Sequence, residues 1–225
     1  MRPRLAAGFG IPLPLLRMGV PSPTHTPATN TIPHLFTVQS SPIFVIVLTI
    51  LDLCSGSGAW SEPYARAGYD VRSFDLSSGS DVRLLTYIGP VHGILAAPPC
   101  THFASSGARW WAEKGEEALL EGLAVVDACL RAVAMHRPVW WALENPIGRL
   151  RLYLGPPAFA FDPCDFGDPY TKRTLLWGQF TLPEQTPVEP ADGSRIHVMS
   201  PSPDRAQKRS ITPPGFTKAF FEANP

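Results

Sequence analysis

Blocks of apolar and polar residues along the chain read as strand, turn, helix and strand in succession. From Ile43 to Leu53 the residues are β-branched and almost all apolar. The run is about half the length of a bilayer crossing, so it predicts a strand buried on both faces. Cys54-Ser55-Gly56-Ser57-Gly58 follows as a glycine turn, Trp60 to Ala67 as a helix, and Tyr69 to Asp75 as a second short strand ending in an acid. Val91 to Ala97 predicts a third strand, stopped by Pro98 and Pro99, which fix φ twice and remove two backbone donors. Between Glu116 and His136, Leu119, Leu123, Val126, Leu130 and Val133 recur at spacings of four and three. That period predicts an amphipathic helix, with Cys129 and Met135 in its core. Pro138 ends it, and Val139 to Leu143 reads as a fourth strand finishing in Glu144-Asn145-Pro146. Leu175 to Phe180 is a further strand, and Gly215 to Phe221 a short aromatic helix that docks on the sheet.

Strand, helix and strand in alternation predict a parallel, α/β arrangement with the strand tips at one carboxyl edge, where open sheets bind ligands. Cys100, in the turn after the third strand, and Glu144, at the tip of the fourth, are therefore expected to face one cleft. Thr101 to Gly115 combines Arg109, Trp110, Trp111 and Lys114 with serines and Gly107, and reads as a loop that covers something, with one tryptophan packed on the body. Asp81-Val82-Arg83 begins a short helical or irregular piece.

The turn after the first strand, with Gly56 and Gly58, lets backbone approach a ligand closely. Asp75, about twenty residues downstream, has the spacing of a ribose-hydroxyl acceptor in a nucleotide-binding βαβ unit. A third glycine and a Lys-Ser/Thr pair are missing, which argues against a dinucleotide or a nucleoside triphosphate. Asp52 would repel phosphate and could hold a cationic group. S-adenosylmethionine, with an amine, a sulfonium and a ribose but no phosphate, fits better.

Composition narrows the picture further. The 225 residues carry nineteen basic and nineteen acidic side chains, so any nucleic-acid-binding surface must be local. Cys54, Cys100, Cys129 and Cys164 are far apart, with no metal-ligand spacing and no disulfide framework, and reduced cytoplasm is the expected location. Residues 1–41 are rich in Pro, Thr and Ser; Pro12, Pro14 and Arg17 interrupt the apolar part a secretory signal would need. They are expected to form a disordered or loosely packed extension ahead of a domain over 42–225. Thr181 to Ser202 reads as a polar linker with little to pack, and Arg205, Lys208 and Arg209 form a second basic cluster.

From Leu48 onward the chain resembles the DNA cytosine-5 methyltransferases, most closely the small phage-type members. The matching pieces, in the family's order, are Asp52 to Gly58, Asp75, Asp81-Val82, Pro99-Cys100, Glu144-Asn145-Pro146, and Phe166-Gly167-Asp168-Pro169 followed by Lys172-Arg173. The resemblance implies a Rossmann-like class I S-adenosylmethionine-dependent methyltransferase fold, a mostly parallel sheet with helices on both faces. It implies a catalytic set of Cys100, Glu144 and Arg173. Asp52, Cys54, Gly56, Gly58, Asp75, Asp81 and Pro98 would hold the cofactor, and Pro99, Asn145, Lys172 and Arg109 the substrate. No metal is implied. The partner would be DNA, with its cytosine flipped out or single-stranded, met by a monomer away from any membrane.

The chain departs from the family in having Cys54 where phenylalanine is usual and a single Lys-Arg pair. Only about thirty residues separate Phe180 from Ser210, where members carry a long target-recognition region. Sequence readout would then be relaxed, supplied by a partner protein, or made by other loops of the chain. Two other readings are an amino methyltransferase acting on adenine N6 or cytosine N4, and a catalytically silent nucleic-acid-binding protein. Cys100 and Glu144 together argue against both.

Overall fold

The computed structural model describes residues 46–194, 199–200, 202 and 205–225. The expected N-terminal extension and the start of the first apolar run lie outside them. Among the described residues, six strands form one sheet: β1 (Thr49–Leu53), β2 (Asp70–Phe74), β3 (Gly93–Ala96), β4 (Trp140–Pro146), β5 (Phe159–Phe161) and β6 (Thr174–Gln179). Their order is β2-β1-β3-β4-β6-β5. The first four neighbours run parallel, whereas β6 is antiparallel to β4 and to β5.

The helices are α1 (Glu62–Arg66), α2 (Trp111–His136), α3 (Arg151–Leu154), α4 (Arg205–Ser210) and α5 (Pro214–Ala223). Although β1 is apolar throughout, its alternation sorts side chains into two cores. Leu51 and Leu53 pack with Val126, Cys129 and Ala132 of α2 on one face. Ile50 packs with Tyr64 of α1 and with Phe216 and Phe220 of α5 on the other. This is the Rossmann-like α/β class, a mostly parallel sheet with helices on both faces. Phe216 lies on Phe161 with ring centroids 4.0 Å apart, and burial of Phe216 and Phe220 is complete. Each contributes about 1.5–3 kcal/mol.

Four expectations are corrected. The first strand begins at Thr49, and Ile46, Val47 and Leu48 are exposed, because β2 and β3 pair only from Thr49 and Ile50 onward. The buried seam of α2 is Gly122, Val126, Cys129, Ala132 and His136, while Leu119, Leu123, Leu130, Val133 and Met135 sit half-buried beside it. Small residues let the helix lie close: a Cβ on Gly122 would stand 3.0 Å from the Phe103 ring. Third, β4 begins at Trp140 instead of Val139, while it finishes in Glu144-Asn145-Pro146 as expected. Antiparallel β6 pairs Glu144 with Leu176, Asn145 with Leu175 and Pro146 with Thr174, which extends the strand through the motif. Fourth, the stretch after Thr181 is tied down, since the amides of Thr186 and Val188 donate to the carbonyls of Asp165 and Cys164, and that of Asp192 to Pro169.

Candidate active site

In the sheet, Leu53 is level with Phe74 and Ala96, and Ala96 with Leu143. The residues that follow, Cys54, Asp75, Ala97 and Glu144, therefore emerge at one edge. The chain leaves β1 toward β2 on one side and β3 on the other, so the strand order reverses there and opens a crevice. A cavity of about 1320 Å³ occupies this edge, lined by Cys54, Gly56, Asp75, Ala97, Pro99 and Cys100 among others.

The glycine turn and Asp75 form one unit. Gly56, with φ of +53°, donates its N–H to Asp75 Oδ2 at 2.9 Å, and the Ser77 amide and hydroxyl donate to Oδ1 at 2.9 and 2.5 Å. Burial pushes the Asp75 carboxyl upward, but these three bonds outweigh it and hold it below the usual range, so it is ionised at neutral pH. The Gly58 amide donates to Ser55 O. With the Gly56 amide taken by Asp75 and the Gly58 amide by Ser55 O, neither glycine N–H is left to hold a phosphate. An ionised acceptor facing a roomy cavity without those donors suits a ribose on a phosphate-free ligand.

Three other residues expected to hold the cofactor are placed differently. Asp52 is 1% exposed, on the α1 side of the sheet, where Ser61 Oγ donates to it at 2.5 Å. Burial raises its pKa to about 6. Asp81 caps the turn at Val82–Leu84 and takes both Nε and Nη2 of Arg83 rather than lining the cavity. Pro98 is buried, and its carbonyl is claimed from behind by Asn145. Cys54 does line the cavity, in a left-handed backbone conformation with φ of 58°, and it packs against the core cluster that contains Cys129 of α2.

The Pro98-Pro99-Cys100 turn is braced by the segment after β4. Asn145, fully buried, donates Nδ2 to Pro98 O at 2.9 Å, so it holds the turn and does not reach the cavity as a substrate contact. Arg149 donates Nε to His102 O at 2.6 Å and stacks its guanidinium on Trp111 at 4.5 Å. Ala104 bridges Gly148, where a Cβ would lie 1.9 Å from Phe103 O, so no larger residue fits without moving the turn. Thr101 to Gly115 is accordingly not an open loop. It is a pair of short turns, Cys100–His102 and Ser105–Trp110, running into α2, with Lys114 Nζ donating to Thr101 O. The two adjacent tryptophans divide: Trp111 packs under Arg149, and Trp110 stands 47% exposed on the cavity wall.

The charge of Glu144 acts on Cys100, and that of Lys172 acts on both. Burial raises the Cys100 thiol, Glu144 raises it further, and Lys172 and Arg209 oppose both. Burial likewise raises Glu144, with Lys172 opposing. Cys100 and Lys172 line the cavity, whereas Glu144, expected to face the same cleft, is not among its lining residues; burial biases thiol and carboxyl toward their protonated forms, and the Lys172 charge opposes both shifts. Arg173, expected in the catalytic set, lies at the cavity wall with Nη1 3.2 Å from Asp162 Oδ2, so its charge is largely answered there. Arg109 also lines the cavity.

Sequence reasoning left Lys114, Asp162, Arg205 and Arg209 unassigned, yet all four line the cavity. The basic cluster at Arg205 was visible, but its partner surface was not, because roughly a hundred residues separate Arg209 from Ser106, which it meets at 3.5 Å. Among the described residues, the cavity wall carries Arg109, Lys114, Lys172, Arg173, Arg205 and Arg209 against Asp75 and Asp162. The chain is neutral overall; this cleft is positive.

No protein-family model matches the chain, and no curated protein matches it. Among solved structures the chain is similar to methyltransferases. One is described as a DNA modification methyltransferase encoded within an E. coli prophage, 20% identical with a TM-score of 0.42 over 59% of this chain and 46% of that one. Another is the Entamoeba histolytica methyltransferase EhMeth, 12% identical with a TM-score of 0.38 over 70% of this chain and 61% of that one. The chain thus spans between about half and three fifths of the length of these two proteins. Among the described residues, no helix is long and apolar enough to cross a membrane.

Proposed function

We propose that the chain is an S-adenosylmethionine-dependent methyltransferase acting on C5 of cytosine in DNA. The observation that carries this reading is one cavity lined both by the Gly56–Asp75 unit and by Cys100 and Lys172, with the charge of Glu144 acting on the Cys100 thiol. Bound S-adenosylmethionine would supply an electrophilic methyl group to C5, its S–CH3 bond breaking so that the sulfur leaves as the neutral thioether of S-adenosylhomocysteine. Asp75 would accept hydrogen bonds from its ribose hydroxyls, and Cys54, Gly56 and Ala97 would line its bed.

C5 of cytosine is a poor nucleophile. As a thiolate, Cys100 forms a bond from Sγ to C6, and the C5–C6 electron pair moves to C5. Protonated Glu144 donates a hydrogen bond at N3, where negative charge builds during the addition. Lys172 offsets the charge that the pair gains when Cys100 ionises. Once C5 is substituted and its proton leaves to solvent, the Sγ–C6 bond breaks and the thiolate returns. C6 is covered inside a base stack, so the cytosine must be extrahelical when Cys100 reaches it. The enzyme acts in this reading as a cytoplasmic monomer.

The test is covalent trapping on DNA containing 5-fluorocytosine in the presence of S-adenosylmethionine. Fluorine at C5 blocks the elimination, so a denaturation-resistant adduct is expected, and Cys100→Ser abolishes it. Methyl transfer only to an exocyclic nitrogen, or full activity in Cys100→Ser, overturns the reading.

A further inference from the structure

From the cavity wall we infer that this protein takes its cytosine from an unpaired DNA strand, with Trp110 as the stacking platform for a neighbouring base. The inference rests on the reading of the cleft as a DNA cytosine site and adds the form of the strand. Two independent features carry it. The first is Trp110 itself, 47% exposed beside a neighbouring tryptophan that is packed away. Its ring lies on the wall of the cavity that holds Cys100, with the Arg109 guanidinium 5.0 Å from its centroid. An aromatic ring left in water at a cationic cleft has no role in the core.

The second feature is where the positive charge comes from. Arg109 and Lys114 belong to the turn after Cys100 and the start of α2, Lys172 and Arg173 to the entry of β6, and Arg205 and Arg209 to α4. Three segments far apart in sequence thus place cations on the wall of one cavity, where Arg209 Nη2 meets Ser106 Oγ at 3.5 Å. Phosphates following this wall would be held by all three segments, as a flexible strand allows.

A duplex offers base edges in its grooves, while its base faces are covered by stacking. An indole face beside cations is the device of single-strand binding, where each stacked base adds affinity with little regard to sequence. An unpaired strand also avoids the cost of extruding the base. The same device accounts for capture of DNA without readout of base edges.

The experiment is fluorescence anisotropy of the full chain with labelled dT12, without cofactor, against a 12-base-pair duplex of the same length. We expect dT12 to bind about tenfold tighter than the duplex. Trp110→Ala should weaken dT12 binding by roughly 5- to 100-fold, while Trp110→Phe, which keeps a ring, restores most of it. Arg209→Gln should lower the slope of log affinity against log salt by about 0.7, the share of one phosphate contact on a single strand. Duplex binding as tight as dT12, or Trp110→Ala equal to the parent, overturns the inference. The probe has no cytosine and no methyl donor. Loss of Cys100 trapping with dT12 binding intact therefore refutes only the proposed reaction, and intact trapping without preference for dT12 refutes only this inference.

Discussion

Replacing Asn145 with alanine tests the bracing of the Cys100 turn directly. Asn145 is fully buried between Glu144 and Pro146 in β4, and its Nδ2 is 2.9 Å from Pro98 O. Alanine removes the donor and strands a buried carbonyl two residues before the nucleophile. A stranded carbonyl and the small void beside it cost about 2–3 kcal/mol. For a domain of this size that lowers the melting temperature by roughly 4–12 °C. The turn also loses its tether, so the rate of adduct formation on 5-fluorocytosine DNA should fall about tenfold or more in protein that remains folded at the assay temperature. Asn145→Asp gives a sharper readout. Ionised, its carboxylate faces Pro98 O with no donor and is at least as damaging as alanine; protonated, its hydroxyl can donate in place of Nδ2. Melting temperature in Asn145→Asp should therefore recover as pH falls, while Asn145→Ala stays flat relative to the parent. An Asn145→Ala protein within about 0.5 kcal/mol of the parent, with unchanged trapping, would refute the bracing role.

Two further outcomes follow from buried groups outside the cavity. Asp52 binds protons more tightly folded than unfolded, because burial lifts its pKa from 3.8 to about 6. Its contribution to stability is therefore fully favourable below about pH 4 and is lost as pH rises to about 6, falling by up to about 1.4 kcal/mol for each step of one in pH, or about 3 kcal/mol in all. Asp52→Asn, which still accepts from Ser61, should gain stability relative to the parent between pH 4 and 7, measured by urea midpoints at each pH; a pH-independent difference contradicts it. Gly148→Ala sets a Cβ 1.9 Å from Phe103 O and should cost about 3 kcal/mol by chemical denaturation with slower trapping. Neutral behaviour would show that the turn after Cys100 shifts freely.

The period and punctuation of the sequence determined much of this protein. The β-branched run into Leu53, the Pro98-Pro99 stop and the spacing of α2 each follow from local backbone rules, and they suffice to set the α/β class. The same reasoning places Cys100 and Asp75 at one edge, because parallel strands carry their carboxyl ends together. What it could not reach were interactions between segments distant in the chain. Asn145 looks like a site residue in a motif, but only tertiary structure turns it toward Pro98, 47 residues away. Asp52 sits at a strand end in sequence, yet the two-residue period puts its carboxyl on the far face with Ser61. The pairing that carries β4 through Glu144 comes from β6, an antiparallel partner about thirty residues on. The positive cleft is likewise a property of the fold: in a chain of zero net charge, six cations among the described residues line one cavity because the segment running into α2, the entry of β6 and α4 all contribute to its wall. Side-chain periodicity is local and readable, whereas which charge meets which is settled by packing.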